Sequence, residues 1–140
     1  MIHSILFLCT GNSCRSQIAE GLARASLPPS VDVYSAGSRP LGRVSPEALA
    51  VLQEVGIDGA ALWSKGLSDV PAEIDLVVTV CDHAAESCPT LRGTVETLHW
   101  SIPDPYGGPA DSFRHVREML RERIERELIP RLSNRSRAHL

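Results

Sequence analysis

Aromatic residues are scarce in this chain. There are two each of Phe, Trp and Tyr in 140 residues, which leaves little to line a cleft for an aromatic ligand. No apolar run approaches the length of a membrane span. The formal net charge is only −3, so neither nucleic acid nor an acidic membrane is indicated as a partner. Internal repeats and low-complexity tracts are absent. The apolar start, Ile2 to Leu8, is too short for a signal peptide and runs straight into a polar loop. A cytoplasmic location is therefore expected. In a reducing compartment the four cysteines point to catalysis or metal binding rather than to structural staples. The remaining composition, 43% hydrophobic and 22% charged, is that of a globular domain with a real core. One α/β domain is expected over residues 1–132. Residues 133–140 are polar, arginine-containing and aperiodic, and read as a disordered tail.

The chain is organised around residues 2–25. Ile5-Leu6-Phe7-Leu8 reads as a buried strand, and Ile18, Ala19, Leu22 and Ala25 as the apolar face of a helix. The loop between them runs from Cys9 through Thr10, Gly11, Asn12, Ser13 and Cys14 to Arg15. A loop this short, wrapped toward a helix N-terminus, turns successive N–H groups into one hollow that suits a tetrahedral oxyanion. Gly11 permits a positive φ and Asn12 tolerates one, so the loop can curl. Arg15 offers a planar fork for two anion oxygens. Cys9 sits at the floor, where the same donors favour its thiolate, and Ser16 can donate its hydroxyl to that thiolate.

Further along, Val31 to Ser35 alternates and reads as a second strand ending at Ala36-Gly37. Ser45-Pro46-Glu47 reads as the start of a helix, with Ser45 as its cap, and Gly56 closes it. Pro71-Ala72-Glu73 reads as a short helical turn. Asp75 to Val80 is near-continuously apolar, as a central parallel strand requires. Val95 to Trp100 reads as the fourth strand. Phe113, Val116, Leu120, Ile124 and Leu128 mark an amphipathic last helix that stops before Pro130. Strands alternating with helices imply a doubly wound parallel α/β sheet with helices on both faces.

Cys81 follows the third strand directly, on the same sheet edge as the Cys9 loop. Cys88 lies seven residues later, and the intervening residues can form two helical turns. Residues seven apart on a helix are about 10 Å apart along its axis, whereas a disulfide needs Cα atoms within about 7 Å. A Cys81–Cys88 bond would require that helix to unwind. Three readings stay open on the residues alone: two buried thiols, a metal site with His83 or His99, and a thiol relay. The spacing does not match zinc sites.

The segment CTGNSCRSQIAEGLAR resembles the phosphate loop and first helix of the low-molecular-weight tyrosine phosphatase fold. Within that superfamily it is more similar to the thioredoxin-coupled arsenate reductases. SAG at 35–37, TVCDHAAESCP at 79–89 and DPYGG at 104–108 follow in the same order, so the resemblance spans about residues 1 to 130. It implies a four-stranded parallel sheet in the order 2-1-3-4 and a single catalytic domain. It implies arsenate, or phosphate or sulfate as an analogue, in the 9–15 loop, with Cys9 as nucleophile, Arg15 and Ser16 assisting, and Asp104 as general acid. It also implies a relay from Cys9 to Cys81 to Cys88, ended by thioredoxin, with glutaredoxin as the alternative reductant. No organic cofactor is implied. Some members hold potassium near the loop. Asn12, Glu20 and Ser35 match three of its ligands, but the fourth, an aspartate, falls near Ser64 in Trp-Ser-Lys, where Lys65 can substitute its own ammonium.

Two rival functions fit the same loop. A phosphotyrosine phosphatase would use Cys9, Arg15 and Asp104 and leave Cys81 and Cys88 idle. A non-catalytic oxyanion-binding or redox-sensing protein would keep the hollow without turnover.

Overall fold

The computed structural model describes residues 2–82 and 96–132. Its elements in chain order are β1 (Ser4–Cys9), α1 (Arg15–Ser26), β2 (Asp32–Gly37), α2 (Pro46–Gln53), β3 (Leu76–Thr79), β4 (Glu96–His99) and α3 (Ala110–Arg123). The four strands form one parallel sheet in the order β2-β1-β3-β4. The expected order 2-1-3-4 holds. Among the described residues, no helix is long and apolar enough to cross a membrane.

Alternation along β1 divides the core. Ile5, Phe7 and Cys9 face the cluster that holds α1, α2 and α3, while Leu6 and Leu8 face a smaller cluster with Ala36, Ile74 and Val77. β1 and β3 are central, and every β3 residue is buried, as sheets covered on both faces demand. β4 is an edge strand with exposed Glu96, Thr97 and His99. Phe7 and Trp100 meet as tilted rings with centroids 6.0 Å apart, both fully buried. The start of β1 is pinned by Asp75, whose carboxylate accepts the N–H groups of His3 at 2.6 Å and Ser4 at 3.2 Å. Those donors hold the Asp75 carboxyl below its usual range.

Several local readings are corrected. Ser45 occupies the cap position of α2, yet its hydroxyl donates to Glu47 at 2.7 Å instead of accepting from the helix. The short helical turn lies at Leu67–Asp69, not at Pro71–Glu73. There Asp69 accepts the Gly66 N–H at 2.9 Å and closes the turn locally. The last helix does not stop before Pro130. It widens into a π turn over Ile124–Leu128, where the Ile129 N–H reaches back to Ile124, and continues to Leu132. Phe113, Val116, Leu120, Ile124 and Leu128 are all buried along it. The proposed tail, residues 133–140, lies outside the described residues.

α2 and α3 are clasped from outside. Glu54 accepts from Arg114 at 2.8 Å and from Arg117 at 2.7 Å. These two guanidinium groups hold the Glu54 carboxyl down at about 2.

Candidate active site

β1 ends at Cys9 and α1 begins at Arg15, so the five residues between them turn the chain through the C-terminal edge of the sheet. This is the edge at which open α/β sheets bind ligands. Cys9, Cys14 and Arg15 are all at most 4% exposed. Together with Thr10 to Ser13 they line a cavity of about 370 Å³, whose other walls are Arg39, Leu41, Asp104 and Tyr106. All seven oxyanion-loop positions expected from the sequence are therefore gathered.

The loop curls through Asn12, which has φ +47°; Gly11, also expected to be able to turn this way, does not. Asn12 can hold this left-handed backbone because its side chain is tied on every side. Its Oδ1 accepts from the Lys65 backbone N–H at 2.7 Å and from Gln17 Nε2 at 2.9 Å. That leaves its amide Nδ2 as a donor, to Ser16 Oγ at 2.7 Å and to Ser35 Oγ at 3.0 Å. Gly11 is used for space instead. A Cβ there would lie 3.2 Å from Leu41 Cγ. Gly37, at the end of β2, is more tightly constrained: a Cβ would meet the Thr10 carbonyl oxygen at 2.5 Å. The SAG segment thus allows β2 to press against the loop.

This network holds the Ser16 hydroxyl. Its oxygen accepts from Asn12 Nδ2 and lies 2.9 Å from Cys9 Sγ, within hydrogen-bond distance. The Asn12 N–H donates to the same sulfur at 3.3 Å. Two polar groups thus meet one buried sulfur at the floor of the cavity. Arg15 donates to the Ile102 carbonyl at 3.1 Å, and its other terminal nitrogen lies 3.7 Å from Asp104 Oδ2. Asp104 is half-exposed and accepts the Tyr106 N–H at 3.0 Å. The loop after β4 thus hangs its carboxylate over the mouth of the cavity.

Cys14 is different in kind. Burial pushes its thiol up to about 11; a Ser45 hydrogen bond opposes this and the Asp104 charge adds to it.

Cys81 enters from β3. Val80 donates to the Leu8 carbonyl at 2.9 Å, and Cys81 Sγ lies 3.9 Å from that same oxygen, next to the Cys9 position. Cys81 is fully buried and disulfide-bonded, whereas Cys9 and Cys14 are free. Cys88 and His83 lie outside the described residues. His99 is turned toward Thr79, with Nδ1 2.6 Å from the hydroxyl.

Of the potassium positions, Asn12, Ser35 and Glu20 do come together, with Ser35 donating to Glu20 Oε1 at 2.6 Å. Lys65 Nζ lies 3.3 Å from the same carboxylate oxygen. The donor set already contains a cation and does not fit a metal ion. Tyr106 lies beside Asp104 as the DPYGG segment implied, whereas Gln17, Arg39 and Leu41 are site residues that sequence reasoning missed. Gln17 alone carried a signal, since a polar residue in the first turn of a helix behind an anion loop is placed to brace it.

A family model for the low molecular weight phosphotyrosine protein phosphatases matches residues 4–137. An arsenate reductase of Bacillus cereus (strain 03BB102) is 43% identical over 124 residues, covering 88% of this chain and 92% of the relative. Among solved structures, an arsenate reductase in the phosphate-binding state superposes with a TM-score of 0.76 at 32% identity, covering 89% of this chain and 95% of the other. An arginine phosphatase from Geobacillus stearothermophilus superposes with a TM-score of 0.78 at 29% identity, covering 99% and 97%.

Proposed function

The chain belongs to the low molecular weight phosphotyrosine protein phosphatase family, and from that premise we propose that it is an arsenate reductase working by a thiol relay. The observation that carries this reading is the pairing at one sheet edge. Cys9 meets the Asn12 N–H and the Ser16 hydroxyl at the floor of the 9–15 loop cavity, and the Cys81 sulfur abuts the Leu8 carbonyl oxygen. The 43% identity to an arsenate reductase over most of both chains supports the substrate.

Arsenate lies in the 9–15 loop with Arg15 on two of its oxygens. The Cys9 thiolate attacks arsenic, and Asp104 protonates the departing oxygen, which leaves as water. The Cys81 thiolate then attacks the Cys9 sulfur. The S–As bond breaks and its electron pair leaves with arsenic as arsenite, while a Cys9–Cys81 disulfide forms. Cys88 attacks Cys81 and frees Cys9. A thioredoxin dithiol, or failing that glutaredoxin, reduces the Cys81–Cys88 disulfide in the cytoplasm.

A phosphotyrosine phosphatase is the second reading. It draws on the exposed Leu41 and Tyr106 at the cavity mouth, an apolar rim that an arsenate ion does not need. A coupled assay separates the two. Reduced protein is mixed with thioredoxin, thioredoxin reductase and NADPH, and arsenate or an aryl phosphate is added. Sustained arsenate-dependent NADPH loss that disappears in Cys81→Ser is the expected result. Brisk aryl phosphate hydrolysis without NADPH loss would overturn the relay.

A further inference from the structure

Lys65 is 6% exposed, and a buried ammonium is costly unless it is paired and hydrogen-bonded. Both conditions are met. Nζ donates to the Trp63 carbonyl at 2.7 Å and to Glu20 Oε1 at 3.3 Å, and the Trp63 ring centroid lies 5.2 Å away. Glu20 is equally buried, and its second oxygen accepts from Arg24 Nε at 2.9 Å.

From this ion pair an unbroken line of hydrogen bonds leads to the nucleophile. Ser35 donates to Glu20, Asn12 donates to Ser35 and to Ser16, and Ser16 bonds the Cys9 sulfur. The direction of each bond depends on Glu20 remaining an acceptor. An ionised, cation-paired carboxylate takes the Ser35 proton and leaves the Ser35 oxygen to Asn12. The Lys65 backbone N–H holds the far side of the same Asn12 amide. One residue therefore braces the loop at two points.

We propose that the Lys65 ammonium is the resident cation of this site and a positioning residue for Cys9, so that this chain needs no dissolved monovalent cation. The proposal rests on Cys9 being the nucleophile. Glu20 and Lys65 also line a second cavity of about 590 Å³ with Arg24, Tyr34 and Trp63, so a small cation can reach Glu20 once the lysine is removed.

The test reads the sulfur directly. Reduced wild type, Lys65→Met and Lys65→Arg are alkylated with iodoacetamide at one mildly acidic pH, and modification is followed by mass spectrometry on the Cys9 peptide. Each reaction is run in choline, ammonium or potassium chloride at equal ionic strength. The wild-type rate is expected to be the same in all three salts. Lys65→Met should fall about tenfold in choline, the loss expected when one charge-assisted hydrogen bond is removed. Ammonium or potassium should restore at least half of that loss. Lys65→Arg should fall less than Lys65→Met. A wild-type rate that climbs with potassium would overturn the proposal, as would a Lys65→Met rate equal to wild type or one that no cation restores. Should Lys65→Met fail to fold, Glu20→Gln takes its place: it is expected to slow Cys9 alkylation with no response to any cation, and a potassium response in it would refute the assignment. Failure of the arsenate reading looks different, since it appears as absent arsenite with the alkylation pattern intact.

Discussion

The two thiols of the phosphate loop make an instructive pair. Cys9 and Cys14 are five residues apart and both buried. At the floor, Cys9 meets the Asn12 N–H and the Ser16 hydroxyl. At the flank, Cys14 is dominated by burial, and the Asp104 carboxylate adds to it, so its thiol is pushed up to about 11. Burial alone makes a cysteine inert. What sets Cys9 apart is the polar groups placed around its sulfur, a neighbouring amide N–H and a hydroxyl tied into a network behind the loop.

The comparison breaks most completely in Cys9→Ser, which should yield no arsenite even in a single turnover. Residual single-turnover activity would mean that another thiol is the nucleophile. Cys88→Ser should release about one arsenite per site and then stop. Unimpaired multiple turnover by that variant would refute the relay.

Selective alkylation sharpens the contrast. At neutral pH the Cys9 peptide should be modified at least about tenfold faster than the Cys14 peptide, because burial holds the Cys14 thiol up at about 11 and keeps it protonated. Peptide mass spectrometry reads both in one sample, and equal rates would remove the distinction. Ser16→Ala should then narrow the gap, slowing Cys9 by about tenfold through loss of one hydrogen bond to a charged partner.

The smallest effect belongs to Cys14→Ser, with arsenate turnover expected within about threefold of wild type, since a side chain that stays protonated contributes no nucleophile. Its signature lies in stability instead. A folded-state thiol raised above its ordinary value of 9.0 favours the fold below that pH, and the advantage is lost as pH rises toward about 11. Urea titrations across that range should show an alkaline loss in wild type that is reduced in Cys14→Ser.

The legible part of this molecule was the local part. Strand, loop and helix over residues 2–25 announce themselves because the apolar run, Cys9, Arg15 and the helical repeat are contiguous, and a phosphate loop is built from consecutive N–H groups. The sheet order came with the family resemblance rather than with any pattern in the residues. What stayed hidden is long-range and polar. That Gln17 would brace Asn12 and Trp63, or that Gly37 must be small because the Thr10 carbonyl presses on it, depends on which carbonyl a side chain meets across the fold. Such pairings leave no periodicity. The turn at Leu67–Asp69 and the continuation of the last helix past Pro130 escaped for the same reason. Each is settled by hydrogen-bond closure that local preference only biases.

The most direct test of the central claim is a stoichiometry. Fully reduced protein, with no external reductant, is mixed with excess arsenate, and arsenite and remaining thiols are counted together. The relay predicts one arsenite per chain and the loss of two thiols, because reducing arsenate takes two electrons and one disulfide supplies them. Hydrolysis of an aryl phosphate by the same protein, with no arsenite formed and all four thiols intact, would contradict it.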